Sequence, residues 1–188
     1  MPAKNAISAA ADVVTAAGII AYPTEAVFGL GCRPDSEAAV TRILELKNRP
    51  IEAGLILIAA DFAQLKPFIT ELSKSKMKSI LETWPGPTTW VLPADPKLPH
   101  WITGGRKSVA VRVTSHSPAA LLCESANTPI VSTSANPTGR LPARSAQEVR
   151  SYFPEGVDYI LDLETGGLDQ PSEIRDAQTG NVIRAGSG

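Results

Sequence analysis

The chain has 188 residues, 43% of them hydrophobic and 20% charged, which fits a single domain over residues 1–188. Its formal net charge of −1 excludes the strongly basic composition of many nucleic-acid-binding and membrane-binding proteins. With no apolar stretch near the ~20 residues of a membrane span and no signal-peptide pattern, we expect a cytoplasmic protein without membrane contact.

Hydrophobic periodicity predicts helices and strands that alternate along the chain. The helices are predicted over 4–17, 35–47, 61–83 in two pieces broken near Pro67, from Ser117, and from Ser145 to about Phe153. The strands are predicted over 19–22, 55–60, 89–92, 108–113, 129–132 and 157–163, with a closing hairpin over 172–177 and 181–185. Alternation with short connections, followed by a hairpin, predicts an α/β fold with a twisted, open, mixed sheet and flanking helices.

Polar side chains follow the first predicted strand. Thr24 and Glu25 lie in a turn that Pro23 fixes, and a strand end is where an open α/β sheet usually binds its ligand. Lys47 and Arg49 end the second helix, where they either cap carbonyl groups or bind a polyphosphate. Both cations look solvent-facing, so we expect their replacement to leave the fold intact.

Three later segments add further candidates. Period two places Ser108 and Arg112 on one face of their strand, where a buried arginine is costly unless it meets an anion. The cluster over 132–136 offers hydroxyl and amide donors to phosphate or carboxylate, or serves only as a turn. The final hairpin carries Ser172 and Arg184, which either reach the site or form a charged sheet edge.

Several common catalytic patterns are missing from the sequence. It contains no P-loop, no HExxH or paired CxxC zinc pattern and no GxSxG elbow, and its metal ligands cannot be assigned. His100 and His116 lie in segments predicted as loops, without a motif that marks a nucleophile and base. Cys32 and Cys123 have the wide spacing of reduced intracellular thiols.

Taken in order, these segments resemble the YrdC-like family of threonylcarbamoyl-AMP synthases. The resemblance runs from about residue 7 to residue 185. It is carried by Tyr22-Pro23-Thr24-Glu25, Lys47-x-Arg49, Trp84-Pro85-Gly86-Pro87, Val111-Arg112, Ser134-x-Asn136 and Pro171-Ser172. It implies a YrdC-like fold in the short, single-domain bacterial form, without an additional C-terminal domain.

The resemblance also implies a nucleotidyltransferase of tRNA processing. L-threonine and bicarbonate would form a carbamate that attacks the α-phosphate of ATP, giving threonylcarbamoyl-AMP and pyrophosphate. Mg²⁺ is expected with the ATP. Partner proteins would then transfer the threonylcarbamoyl group to an adenosine of tRNA, and tRNA itself is a possible partner.

Site roles follow from the same resemblance, position by position. The residues implied to contact ATP are Lys47, Arg49, Ser108, Ser134, Asn136 and Arg184, of which Lys47, Arg49, Ser134 and Asn136 form the catalytic set. Those implied to hold threonine and its carbamate are Thr24, Arg112, Ser132 and Ser172, with Arg112 paired to the carboxylate. The chain departs from the pattern at Ala26, where many members have threonine, and at Gly54 and Ile58, where longer members have proline and histidine.

Two other functions remain open from the residues. One is a non-catalytic module for double-stranded RNA or tRNA, with a basic face formed by Lys47, Arg49, Arg112, Arg140 and Arg144, whose affinity would fall with salt. The other is an enzyme that transfers a carbamoyl or acyl group but acts on a substrate other than threonine. Threonine-dependent release of pyrophosphate distinguishes the synthase from both.

Overall fold

The computed structural model describes residues 2–186, so Met1 and residues 187–188 of the predicted domain lie outside the described residues. The helices are α1 (Pro2–Thr15), α2 (Glu37–Lys47), α3 (Phe62–Leu65), α4 (Lys74–Leu81), α5 (His100–Thr103), α6 (Ser117–Ser125) and α7 (Ala146–Tyr152). The strands are β1 (Ile20–Pro23), β2 (Phe28–Gly31), β3 (Ile56–Ala59), β4 (Thr88–Pro93), β5 (Ser108–Val113), β6 (Ile130–Ser134), β7 (Tyr159–Ile160), β8 (Glu173–Asp176) and β9 (Val182–Arg184). Short 3-10 helices cover Ile51–Ala53 and Lys66–Phe68.

The strands form one mixed sheet in the order β7-β1-β2-β6-β3-β5-β4-β8-β9. The pairs β1/β7, β3/β5 and β4/β8 are parallel, and the other neighbours are antiparallel. This arrangement confirms the predicted α/β class with an open, mixed sheet. Among the described residues, no helix has both the length and the apolar character needed to cross a membrane.

Helices pack on both faces of the sheet, and the strands therefore have buried apolar side chains on both sides. Alternate residues of β3 show this: Leu57 belongs to a large hydrophobic cluster that includes residues of α2, α4 and α7. Ile58 faces the other way, into a smaller cluster with α1 and α6. Burial of apolar surface on both faces at ~25 cal/mol per Å² is the main stabilising contribution to such a layered fold.

Local signals set several helix ends. Ser36 caps α2 by accepting a hydrogen bond from Ala39 N at 3.3 Å, and the C-cap residue Asn48, which follows α2, has the left-handed conformation (φ 49°). Ser145 caps α7 by accepting from Glu148 N at 3.2 Å, and Glu148 Oε2 accepts from Arg144 N at 2.6 Å.

The structure differs from the sequence-based prediction at several elements, and the strand predicted over 157–163 is limited to Tyr159–Ile160. Phe28–Gly31 is a strand that the sequence analysis did not predict, and it forms a hairpin with β1. The loop expected at His100 is wrong, because His100 begins the short helix α5. His116 directly precedes α6 as its N-cap residue.

Candidate active site

A cavity of about 220 Å³ opens on the face of the sheet that carries α1 and α6. Ile58 and Ile130 pack against the cluster of those helices, whereas Ile56 and its cross-strand partner Ser132 line the cavity. Because alternate residues of a strand share one face, the cavity occupies the part of this face that α1 and α6 leave open.

The cavity gathers side chains from distant parts of the chain. Seven predicted site residues line it: Thr24, Arg49, Arg112, Ser132, Ser134, Ser172 and Arg184. Three of these are arginines, and within the described lining Glu25 is the single acidic residue. The cavity therefore has the electrostatic character of an anion-binding site, with hydroxyl groups interspersed among the cations.

Glu25 and Arg112 form a buried ion pair at one wall of the cavity. Each residue is only 6% exposed, and Glu25 Oε2 lies 3.3 Å from Arg112 Nη2. Thr114 Oγ1 donates a hydrogen bond of 2.7 Å to Glu25 Oε1, which fixes the carboxylate. Arg112 Nε has no hydrogen-bond partner within the described part of the chain. Sequence reasoning identified Arg112 and left the role of Glu25 open between holding the turn and contacting substrate, but it did not predict their pairing, because the partner of a buried charge is visible only in three dimensions.

The hydroxyl groups at the rim have partly defined orientations. Thr24 Oγ1 donates to Val27 O at 2.8 Å inside its own turn, which leaves this oxygen free to accept from a ligand. Ser172 Oγ lies 3.1 Å from Thr89 Oγ1, and Arg184 Nη2 donates to Ser172 O at 2.8 Å. The β8–β9 hairpin thus holds its hydroxyl and its arginine together at the cavity.

The expectation that Lys47 and Arg49 both face solvent is wrong for Lys47. Lys47 is 3% exposed, and its ammonium donates to Ser134 O and, at 2.7 Å, to Asn136 O. Asn136 Nδ2 donates to Arg140 O at 2.6 Å, so this side chain is bound to its own loop. Lys47 and Asn136 lie behind the cavity wall, where they fix the backbone that presents Ser134.

The environment of Lys47 makes stability depend on pH. Burial, with a smaller contribution from the charge of Arg49, lowers the pKa of Lys47 from 10.5 to about 8. Below the folded-state pKa the buried charge disfavours the native state, and this penalty is relieved as pH rises from about 8 towards the unfolded-state value.

We therefore predict that wild type gains stability relative to Lys47→Met by about 2 kcal/mol between pH 7 and 9.5. Urea unfolding of both proteins at the two pH values measures this difference, and contributions from Cys32 and the other titrating groups cancel in the comparison. A constant difference between the two proteins would contradict the burial of a charged Lys47.

Ser108 is separated from the other predicted residues. It lies at the start of β5 opposite Pro93, four residues before Arg112. At ~3.3 Å per residue, the two positions are about 13 Å apart along the strand. Period two assigned both residues to one face, but only Arg112 lines the cavity.

The three departures from the family pattern fall in different places. Ala26 and Gly54 line the cavity. Ile58 is fully buried in the smaller hydrophobic cluster, so its side chain packs against helices α1 and α6. Arg49 Nη2 donates to Gly54 O at 3.0 Å, which connects this departure to a predicted site residue.

The described side chains offer few oxygen, nitrogen or sulfur ligands for a metal ion. No group of three or more histidine, cysteine, aspartate or glutamate side chains within residues 2–186 could hold an ion. Glu25, the acid at the cavity, is already paired with Arg112. These residues do not fit a resident Mg²⁺ site.

Comparisons with known proteins agree across nearly the whole chain. The family model for Sua5, YciO and YrdC proteins, described as "Telomere recombination", matches residues 12–186. A protein of Enterobacter sp. (strain 638) named "Threonylcarbamoyl-AMP synthase" is 55% identical, covering 97% of this chain and 96% of that protein. A protein of the same name from Klebsiella pneumoniae is 54% identical, covering 97% of both.

A solved structure shows the same architecture. The crystal structure of P. abyssi Sua5 complexed with L-threonine has a TM-score of 0.89 and 35% sequence identity. The match covers 96% of this chain and 54% of the Sua5 chain. The present chain therefore spans about half the length of that protein.

Proposed function

The chain belongs to the Sua5/YciO/YrdC family, and from this premise we propose that it synthesises threonylcarbamoyl-AMP. L-threonine and bicarbonate form a carbamate with loss of water. A carbamate oxygen then attacks the α-phosphorus of ATP, the bond to the β-phosphate oxygen breaks, and pyrophosphate leaves. The observation that carries the proposal is 55% identity to a synthase over 97% of the chain. The protein is thus a nucleotidyltransferase-type enzyme that takes part in tRNA modification.

The cavity suits this chemistry because the attacking oxygen belongs to a substrate. The protein then has to orient two anionic substrates and neutralise the charge that develops on the leaving pyrophosphate. Arg49, Arg112 and Arg184 supply positive charge around one cavity. Arginine presents several N–H donors in a planar fork, which matches both phosphate and carboxylate groups.

We assign the ATP side of the site to Arg49, Ser134 and Arg184, which line the cavity. Lys47 and Asn136 belong to the same side because they bind the backbone around Ser134. Their assigned task is to hold the Ser134 hydroxyl in place. Contact between Ser108 and ATP has no comparable support and stays a prediction.

We assign the threonine side to Thr24, Arg112, Ser132 and Ser172, all at the cavity. Arg112 would pair with the threonine carboxylate, since its guanidinium is held in place by Glu25. The P. abyssi relative was crystallised with L-threonine, which supports a threonine site in this fold.

Arg112→Ala is expected to raise the KM for threonine by about 10- to 100-fold and the KM for ATP much less. A charge-assisted hydrogen bond contributes roughly 1.5–3 kcal/mol, and each 1.4 kcal/mol corresponds to about tenfold in affinity. Steady-state pyrophosphate release with each substrate varied in turn measures both constants. Partial unfolding lowers kcat without changing KM, so equal changes in the two KM values would contradict the assignment.

Mg²⁺ enters this proposal as part of the substrate. Mg²⁺ usually keeps several waters and binds through substrate phosphates with few protein carboxylates. Since Glu25 is the single carboxylate in the described lining and is paired with Arg112, the ion would arrive on the ATP triphosphate. We extend the proposal to bicarbonate as the third substrate, which the reaction requires.

We also propose the domain organisation, the cellular compartment and the partners of the protein. Residues 1–188 would act as one domain in the cytoplasm, where buried free thiols such as Cys32 and Cys123 stay reduced. Threonylcarbamoyl-transfer proteins and tRNA are the partners that such a product requires, because an activated acyl phosphate must reach an acceptor before water hydrolyses it.

The RNA-binding alternative loses support in the structure. It needs Lys47 and Arg112 on an exposed basic face, yet both side chains are buried. A phosphate backbone could reach neither side chain without rearrangement of the fold. The curated relatives bear the name of the synthase, which favours the catalytic function.

Pyrophosphate release from ATP tests the proposed function. Purified protein is incubated with Mg²⁺, ATP and bicarbonate, and L-threonine is compared with L-serine and with no amino acid. Release that requires threonine and bicarbonate is the expected result. Release without threonine would favour the third function, transfer to another substrate, and no release at all would contradict the synthase.

A further inference from the structure

The backbone turn over residues 52–54 forms one wall of the cavity and is bound by two arginines. Arg49 Nη2 donates to Gly54 O at 3.0 Å, and both residues line the cavity. Arg106, outside that lining, donates from Nη1 to Ala53 O at 3.2 Å and from Nη2 to Glu52 O at 2.6 Å. Three consecutive carbonyl groups of one turn are therefore held by two guanidinium groups.

The turn packs closely against the segment that carries Arg106. Gly54 and Gly104 both have φ of +64°, a conformation that strongly favours glycine. A Cβ at Gly54 would lie 2.7 Å from Arg106 Nη1, and a Cβ at Gly104 would lie 2.6 Å from Glu52 O. The backbone contact with Glu52 O requires glycine at Gly104, whereas Gly54 is favoured by its positive φ, and this close packing helps to fix the position of the turn.

Arg106 has no acidic partner within the described part of the chain, so its ordering depends on these carbonyl groups. Burial lowers the pKa of Arg49, and the nearby charge of Arg106 lowers it further. Two cations are thus held near each other at the edge of the cavity. Their repulsion would be relieved by an anion bound at Arg49.

We propose that Arg106 is a positioning residue for Arg49. It fixes the Glu52 and Ala53 carbonyl groups, and the turn thereby presents the Gly54 carbonyl that orients the Arg49 guanidinium. This inference rests on the proposed function in one respect, namely that Arg49 binds the phosphates of ATP. Arg106 itself needs no contact with substrate.

Kinetics test the proposal on the full-length protein. Arg106→Ala is expected to raise the KM for ATP about tenfold, to lower kcat by a smaller factor because a misplaced Arg49 also neutralises the leaving pyrophosphate less well, and to leave the KM for threonine nearly unchanged. Arg106→Lys should restore part of the loss, because an ammonium reaches one carbonyl but lacks the fork. In an Arg49→Ala background, Arg106→Ala should have no further effect.

Arg42→Ala is the matched control. Arg42 is also an exposed arginine that donates to a backbone carbonyl, Gly156 O, but it lies outside the cavity lining. Its replacement should leave both KM values unchanged. Equal changes in the two KM values for Arg106→Ala, or an additive loss in the Arg49→Ala background, would overturn the proposal.

A second measurement separates this proposal from the proposed function. Arg49 Nε is buried, and exclusion of solvent from this atom should slow the exchange of its proton. The signal is assigned by its loss in Arg49→Lys, and Arg106→Ala should accelerate its exchange in the absence of any substrate. Unchanged exchange would overturn the positioning role even if the enzyme is active, whereas absent pyrophosphate release by wild type would refute only the proposed function.

Discussion

Arg49→Ala is expected to lower kcat/KM for ATP by about 10²- to 10³-fold, the usual effect of removing one preorganised charge-stabilising donor. Arg49 lines the cavity, and its side chain contributes a hydrogen bond to Gly54 O at 3.0 Å. Losing that bond should reduce the free energy of unfolding by only about 1 kcal/mol. The measurement is steady-state pyrophosphate release, with unfolding in urea recorded for the same preparations.

The variant Arg49→Lys distinguishes the effect of the positive charge from the effect of the planar guanidinium. Lysine keeps the positive charge but offers no planar fork to a phosphate, so we expect activity between those of wild type and Arg49→Ala. Arg33→Ala serves as the control, since Arg33 is a partly exposed arginine that pairs with Asp35 and donates to Thr15 O outside the cavity lining. Full activity of Arg49→Ala would remove this residue from the ATP site.

Glu25→Ala is expected to destabilise the fold by about 3–5 kcal/mol, because removing one partner of a buried ion pair leaves the other charge uncompensated. Arg112 is only 6% exposed and would keep its charge beside the vacated carboxylate position. Urea unfolding of wild type and variant measures the loss.

The double replacement Glu25→Gln with Arg112→Met provides the matching test. Removing both charges should recover much of the stability that Glu25→Gln alone loses, since no unpaired buried charge remains. Thr114→Val is a milder comparison, because it keeps both charges and removes the hydrogen bond of 2.7 Å to Glu25 Oε1 together with the one that Thr114 Oγ1 accepts from His116 N at 3.2 Å. If the double variant were less stable than Glu25→Gln, the unpaired charge of Arg112 could not be the cause of the loss, and the prediction would be wrong.

The order of helices and strands was largely predictable because their hydrophobic patterns are local. Strand β2 was missed, since Gly29 and Gly31 give its four residues low β propensity. A Cβ at Gly31 would lie 2.6 Å from Val131 O and 2.8 Å from Tyr22 Cε1. These glycines permit close approach of neighbouring strands, a requirement that only the assembled sheet reveals.

The candidate site was predictable in its residue types but less so in its geometry. Lys47 and Arg49 look alike in sequence, yet Asn48 between them takes the left-handed conformation and Lys47 turns inward. The acceptors of Lys47 are carbonyl groups of Ser134 and Asn136, nearly half the chain away. No local pattern identifies such distant partners.

The two-residue periodicity of strand β5 also predicted only part of the geometry of the site. It assigned Arg112 and Ser108 to one face of β5, but it gave no information about which end of the strand meets the cavity. That position depends on the register with the neighbouring strands β3 and β4. Register is a property of strand pairing and turn geometry, so one strand read alone cannot supply it.

The β8–β9 hairpin forms a side of the cavity that can open while the rest of the protein stays folded. The hairpin lies at one edge of the sheet, attached through β8 to β4, and it contributes Ser172 and Arg184 to the lining. Edge elements with few buried contacts can detach by local opening while the rest of the protein stays folded. A ligand that bridges Arg184 and Arg49 would oppose that opening by RT ln(1 + [L]/Kd). Substrate should therefore slow proteolytic cleavage within the hairpin more than it slows global unfolding.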